Sequence, residues 1–140
     1  MVKITYDLAM MQLMALFEKI TKSNLKDCYI DELQTKLVFV VLPGQLWKAL
    51  GPKGANVKKL ELKLNRKIKI VEFNSNKLKF IENMIFPLKA KSITEENDII
   101  TILGSDIKTK GLLIGRNAAN LRNLETKIGR YYKIKEIKVI

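Results

Sequence analysis

Two four-residue segments stand out as sites where chemistry could be done, Gly51-Pro52-Lys53-Gly54 and Gly115-Arg116-Asn117-Ala118. In each, a glycine opens a tight turn, a cation falls inside it, and an amphipathic helix follows. Glycine lets the backbone take positive φ and approach a ligand closely. The start of the following helix offers unpaired N–H groups and the positive end of its dipole. The chemistry that suits such a segment is the seating of a phosphate, not the making or breaking of a bond.

The rest of the composition points the same way. The chain has no histidine, which excludes Ser-His-Asp and Cys-His catalysis and His-ligated zinc. Its one cysteine, Cys28, cannot form an internal disulfide, fits a reducing cytosol, and is expected to be inert core. The acidic run "EEND", residues 95–98, is read as a solvated hairpin turn rather than a metal cluster for a nuclease. We therefore expect no enzyme, no catalytic residue, no metal, no cofactor and no small-molecule substrate.

Charge collects where the turns are. The formal net charge is +12, which favours an anionic partner. The windows from Lys48 to Lys69 and from Lys108 to Lys138 hold 17 of the 26 basic residues but only 3 of the 14 acidic ones. A generic solvated face would not place its excess so selectively. Lys53 and Arg116 lie inside the turns, while Lys58, Lys59 and Arg122 lie on the helices that follow. No uninterrupted apolar run at the N-terminus is long enough to span a bilayer, and no basic leader precedes one, so a soluble, cytoplasmic protein is expected.

The two turns belong to a repeat. Aligning residues 51–66 with 115–130 gives seven identical pairs without a gap, among them Gly51/Gly115, Asn56/Asn120 and Glu61/Glu125. Residues 1–74 and 75–140 carry equal numbers of basic and of acidic residues, and the loop-like stretch Phe73 to Lys77 lies between the copies. Two abutting domains, 1–74 and 75–140, are expected.

The elements that must position the turns also repeat. In the first copy the apolar spacing predicts a helix over Tyr6–Ile20, with Met10, Met11 and Met14 as core filler. "DCYIDEL" and "KLVFVVL" follow as strands. The second is continuous, apolar and β-branched, and reads as a central strand buried on both faces. Pro43-Gly44 ends it. A short helix over Gln45–Leu50, the turn, a helix over Ala55–Leu64 with the stripe Val57, Leu60 and Leu64, and the strand "KIKIVEF" complete the copy. The second copy predicts a helix over Asn76–Ile85, strands "AKSIT" and "DIITILG", a helix over Asp106–Leu113, the turn, a helix over Ala119–Ile128 and the strand "KEIKVI".

This order with these turns resembles the KH domain of the prokaryotic, type II form, αββααβ. The resemblance extends along nearly the whole chain. "ALFEKITKSNLKDCYIDELQTKLVFVV", "ALGPKGANVKKLELKL", "KIKIVEF", "KFIENMIFP", "KGLLIGRNAANLRNLE" and the terminal "IKVI" look like archaeal NusA-like transcription termination/antitermination factors. The resemblance implies an α+β fold of two tandem KH domains, each a three-stranded mixed sheet packed on helices. It implies single-stranded RNA, in the form of nascent transcript, as ligand and RNA polymerase as a partner, with no membrane. It carries an RNA-binding role onto Gly51, Pro52, Lys53, Gly54, Lys58, Lys59, Gly115, Arg116, Asn117, Ala118 and Arg122. No added polymerase-binding domain or OB-fold is expected, as in the short archaeal form. The alternative is a ribosome-associated or ribosome-assembly KH protein with a mainly structural role.

Two positions depart from the family pattern. Pro52 removes one N–H and stiffens the first turn. Ala118 replaces the closing glycine of the second, which is acceptable if that residue has helical φ and strained by about 1 kcal/mol if it is left-handed. The apolar residues beside the turns, Ala49, Leu50, Leu113 and Ile114, are expected to be helix-end core, with contact to bases as the alternative. Trp47 is expected to pack internally, with stacking on a base as the alternative. Replacing Gly51 and Gly115 by aspartate is expected to abolish binding and spare the fold.

Overall fold

Asp7 starts the first helix, its carboxylate accepting the N–H of Met10 at 2.8 Å. The helix, α1 (Leu8–Thr21), ends at Lys22 in left-handed geometry, where the Lys22 N–H reaches the Glu18 carbonyl. Met10, Leu13, Met14, Phe17 and Ile20 recur at helical spacing and face the core. Met11 is half exposed and is not the core filler expected of it; it falls on the opposite face of the helix.

These elements belong to a computed structural model that describes residues 4–140. The described residues divide into two compact units, Thr5–Asn74 and Ser75–Ile140, with Ile4 assigned to the latter rather than to the expected first domain. Residues 1–3 of the first expected domain lie outside the described residues.

In the first unit, α1 is followed by β1 (Leu25–Asp31) and β2 (Lys36–Val41), then α2 (Leu46–Leu50), the turn, α3 (Ala55–Leu64) and β3 (Ile68–Glu72). The sheet order is β1-β2-β3, antiparallel then parallel. A parallel neighbour needs a crossover, and the crossover here is the α2-turn-α3 segment. Leu37, Val38, Phe39, Val40 and Val41 are all buried, so β2 is covered on both faces as its unbroken apolar run predicts. Phe17 stacks on Phe39, with ring centroids 4.3 Å apart. Cys28, Ala49 and Leu60 complete this core, with Val57 and Leu64 packed against it.

The second unit repeats the order: α4 (Lys77–Ile85), β4 (Ala90–Glu96), β5 (Ile99–Gly104), α5 (Ile107–Ile114), the turn, α6 (Ala119–Ile128) and β6 (Glu136–Val139). Its sheet is β4-β5-β6, again antiparallel then parallel. Both antiparallel pairs carry an irregularity near the start, between Leu25 and Asp27 and between Ala90 and Ser92. Phe80, Ile81, Ile100, Ile102, Ile128 and Ile137 are fully buried. β5 differs from β2 in burying alternate residues, Ile100 and Ile102, because Thr101 interrupts its apolar run. The "EEND" turn is narrower than expected. Glu95 and Glu96 belong to β4, and only Asn97 and Asp98, both at positive φ, make the reversal.

Candidate nucleic-acid interface

Each turn is built by a helix that ends on its first glycine. The Gly51 N–H reaches the Trp47 carbonyl at 3.1 Å, and the Gly115 N–H reaches the Gly111 carbonyl at 2.8 Å. The chain then reverses through nearly the same dihedrals twice. Gly51 has φ 75° and ψ 171°, and Gly115 has φ 73° and ψ 174°. Lys53 and Gly54 are both left-handed, as are Asn117 and Ala118. The Gly54 N–H donates to the Gly51 carbonyl and the Ala118 N–H to the Gly115 carbonyl, which closes each turn. The Ala55 and Ala119 N–H groups are likewise taken, by the Pro52 and Arg116 carbonyls. Four of the amides that the sequence offered to a phosphate are therefore engaged within the turns.

The question posed by Ala118 is answered at φ 59°: the residue is left-handed, and its Cβ carries strain of about 1 kcal/mol. The two turns share this burden differently. The first places Lys53, which suits left-handed geometry poorly, beside Gly54, which is indifferent to it. The second places Asn117, which tolerates that region, beside Ala118, which does not. Each turn thus contains one suited residue and one unsuited residue.

The opening glycines are held by more than φ. A Cβ on Gly51 would lie 2.9 Å from Cγ of Asn56, and one on Gly115 would lie 2.6 Å from Cγ of Asn120. Those asparagines reach across the turn. Nδ2 of Asn56 donates to the Lys48 carbonyl at 3.3 Å, and Nδ2 of Asn120 donates to the Leu112 carbonyl at 2.8 Å. Each ties the last turn of one helix to the first turn of the next. A Cβ at Gly54 would meet nothing within 4 Å. This is why the closing position can accept alanine while the opening one cannot. Aspartate at 51 or 115 would displace the asparagine side chain and would itself be strained by the positive φ.

A second pair, noted in the sequence only as an identity of the repeat, has a structural role. Oε2 of Glu61 accepts the Ile68 N–H at 3.1 Å, and Oε2 of Glu125 accepts the Ile137 N–H at 2.7 Å. Each glutamate anchors the helix after the turn to the edge strand of its own sheet.

The helices that follow the turns begin without a side-chain cap, as does the short α2. Asp7, Asn76 and Asp106 cap α1, α4 and α5 with side-chain hydrogen bonds. No side chain caps α3 or α6. Around the first start, Lys53, Lys58 and Lys59 are exposed and form no ion pair among the described residues. Around the second, Arg116 is exposed and likewise unpaired. Arg122 is different: its Nη1 donates to both carboxylate oxygens of Glu125 at 2.8 Å. That hydrogen bond, with the carboxylate charge, raises the guanidinium pKa above its ordinary value. Part of its charge is already answered.

The apolar candidates divide. Ala49 and Leu113 are core, while Leu50 and Ile114 remain half-buried beside the turns. Trp47 does not pack internally; it is 83% exposed. Cys28 is buried, as expected. Among the described residues no group of three or more His, Cys, Asp and Glu is placed to hold a metal ion, and no helix is long and apolar enough to cross a membrane.

Comparison with known proteins agrees with this geometry. Residues 13–82 match the KH domain family. The chain is 30% identical over 129 residues to a protein of Methanococcus vannielii named probable transcription termination protein NusA, covering 90% of this chain and 73% of that one. A protein of the same name from Thermoplasma acidophilum is 25% identical over 140 residues, covering 98% and 96%. Among solved structures, one titled crystal structure of APE1850 is similar in fold, with TM-score 0.75 and 23% identity, covering 96% of this chain and all of that one. With its mixed α+β units and its left-handed turns between paired helices, the chain belongs to the KH-domain proteins, in their archaeal NusA-like group.

Proposed function

We propose that this protein is an RNA-binding transcription factor that holds single-stranded nascent RNA during elongation or termination, without catalysing a reaction. On this reading each compact unit is a KH domain, 1–74 and 75–140, and each turn seats the backbone of the strand. The partners are the transcript and RNA polymerase, and the compartment is the cytoplasm. The relatives' shared name supports the place in transcription. The observation that carries RNA binding is the pair of helix starts, α3 and α6, that lack a capping side chain and stand beside exposed cations.

The groups proposed to meet the strand are Gly51, Pro52, Lys53 and Gly54 with Lys58 and Lys59, and Gly115, Arg116, Asn117 and Ala118 with Arg122. The glycines bring the backbone close, and the cations neutralise phosphates. Pro52 contributes stiffness rather than a donor.

The test uses the double variant Lys53→Asp with Arg116→Asp, at two exposed positions whose reversal of charge disturbs no core contact. Asp also tolerates the left-handed geometry of position 53. Binding of an end-labelled single-stranded RNA, followed by anisotropy, is expected to weaken by more than tenfold while circular dichroism is unchanged. Unaltered affinity in the folded variant would overturn the reading.

A further inference from the structure

The chain contains one tryptophan, and it stands outside the core. α2 has only five residues, and it turns Ala49 inward and Trp47 and Lys48 outward. Trp47 makes no aromatic or cation–π contact among the described residues. A side chain of this size usually gains stability by burial, so its exposed ring is open to an occupant.

Position indicates which one. The Trp47 carbonyl accepts the Gly51 N–H, so residue 47 lies one helical turn before the opening glycine, on the same side of α2. Lys48 is exposed next to it, and Lys53 stands inside the turn. An aromatic ring beside a cationic phosphate seat is the arrangement that binds single strands, because every base has a face to stack and every link a charge to neutralise. The second unit has no counterpart. In the repeat the position of Trp47 is taken by Gly111, and a Cβ there would meet nothing within 4 Å. A side chain can start there without a clash.

We infer that Trp47 stacks on a nucleobase of the RNA strand whose backbone sits at Gly51–Gly54, and that the two units hold RNA differently, the first with an aromatic stack and the second without one. This rests on the RNA-binding reading above. It adds an aromatic contact that tolerates sequence, since stacking does not read hydrogen-bonding edges.

Being single, Trp47 is its own reporter. Unlabelled oligouridine and oligoadenosine strands are titrated into the intact chain while tryptophan fluorescence is recorded, and an end-labelled strand is followed in parallel by anisotropy. The fluorescence change is expected to saturate at the concentrations at which anisotropy saturates, with either base. Trp47→Ala is expected to lose roughly 5- to 100-fold in affinity, and Trp47→Phe to recover most of it. An abasic strand of equal length should bind the intact chain and Trp47→Ala alike. Gly111→Trp, which adds a ring in the open position, is expected to tighten binding.

Anisotropy that reports binding while the fluorescence stays unmoved and Trp47→Ala binds normally would overturn the stacking role and leave RNA binding standing. An exposed tryptophan reserved for a protein partner would give that result. Absence of any anisotropy change with the intact chain would instead overturn RNA binding itself, and the inference with it.

Discussion

Asn120 reaches across its turn to donate to the Leu112 carbonyl at 2.8 Å, and the ring of atoms so closed leaves no room for a side chain on Gly115. The asparagine and the glycine form one device, repeated at Asn56 and Gly51. The phosphate seat is shaped by residues that need not touch a phosphate.

The first prediction concerns that device. Asn120→Ala removes one hydrogen bond from a half-exposed site, so about 0.5–1.5 kcal/mol of stability should be lost in urea denaturation. Asn120→Asp should cost at least as much, because a carboxylate cannot donate to the Leu112 carbonyl and would also oppose an anionic ligand. Its RNA affinity should fall below that of Asn120→Ala.

The glycines should rank by environment. Gly54→Ala faces open space and suffers only the strain of its positive φ, about 1 kcal/mol. Gly51→Ala adds to that strain a contact of 2.9 Å with Asn56 and should be clearly worse. Ala118→Gly should stabilise the second unit, by less than 1 kcal/mol because glycine also frees the unfolded chain. Chemical denaturation of the three variants checks the order.

Salt should separate the cations. Binding to a single strand weakens with salt by a slope of about −0.7 for each phosphate neutralised. Lys58→Gln and Lys59→Gln together should make that slope shallower by roughly 1.4 if both meet phosphates. Arg122→Gln should change affinity less than Lys58→Gln, because Glu125 already shares its charge. Equal losses would show that the Arg122–Glu125 pair opens when RNA binds.

Glu125→Ala should destabilise the second unit. It leaves the N–H of the buried residue Ile137 without its acceptor, a cost of about 1–3 kcal/mol. Glu125→Gln keeps a carbonyl acceptor and should cost less. The same ordering is expected at Glu61, whose partner is Ile68. Calorimetric melting of the four variants distinguishes a structural anchor from an ordinary surface charge.

The sequence made some of this legible and hid the rest for physical reasons. The helices after the turns begin and end where expected, at Ala55–Leu64 and Ala119–Ile128. Glycine turns and apolar stripes are local signals, and nothing distant overrides them here. The outward face of Trp47 was not legible, because five residues are too short a helix for periodicity to tell inside from outside. β1 begins at Leu25, ahead of the expected Asp27, because a bulge between those residues breaks the alternation that marks a strand. The left-handed φ of Ala118 could be read only by analogy with Gly54, since alanine itself gives no sign of it. Asn56 and Glu61 were visible as identities in the repeat, but their hydrogen bonds join segments up to eight residues apart and emerge only in three dimensions.

The way each turn pairs one comfortable residue with one uncomfortable residue restricts how either turn could drift toward the other. From Lys-Gly to Asn-Ala there are two single-step routes. One passes through Asn-Gly, where both residues are at ease, and the other through Lys-Ala, where neither is. The first is a descent followed by a climb back, and the second crosses a ridge. Exchanging lysine for asparagine first therefore never leaves more than one strained residue in the turn, while exchanging glycine for alanine first leaves two in succession.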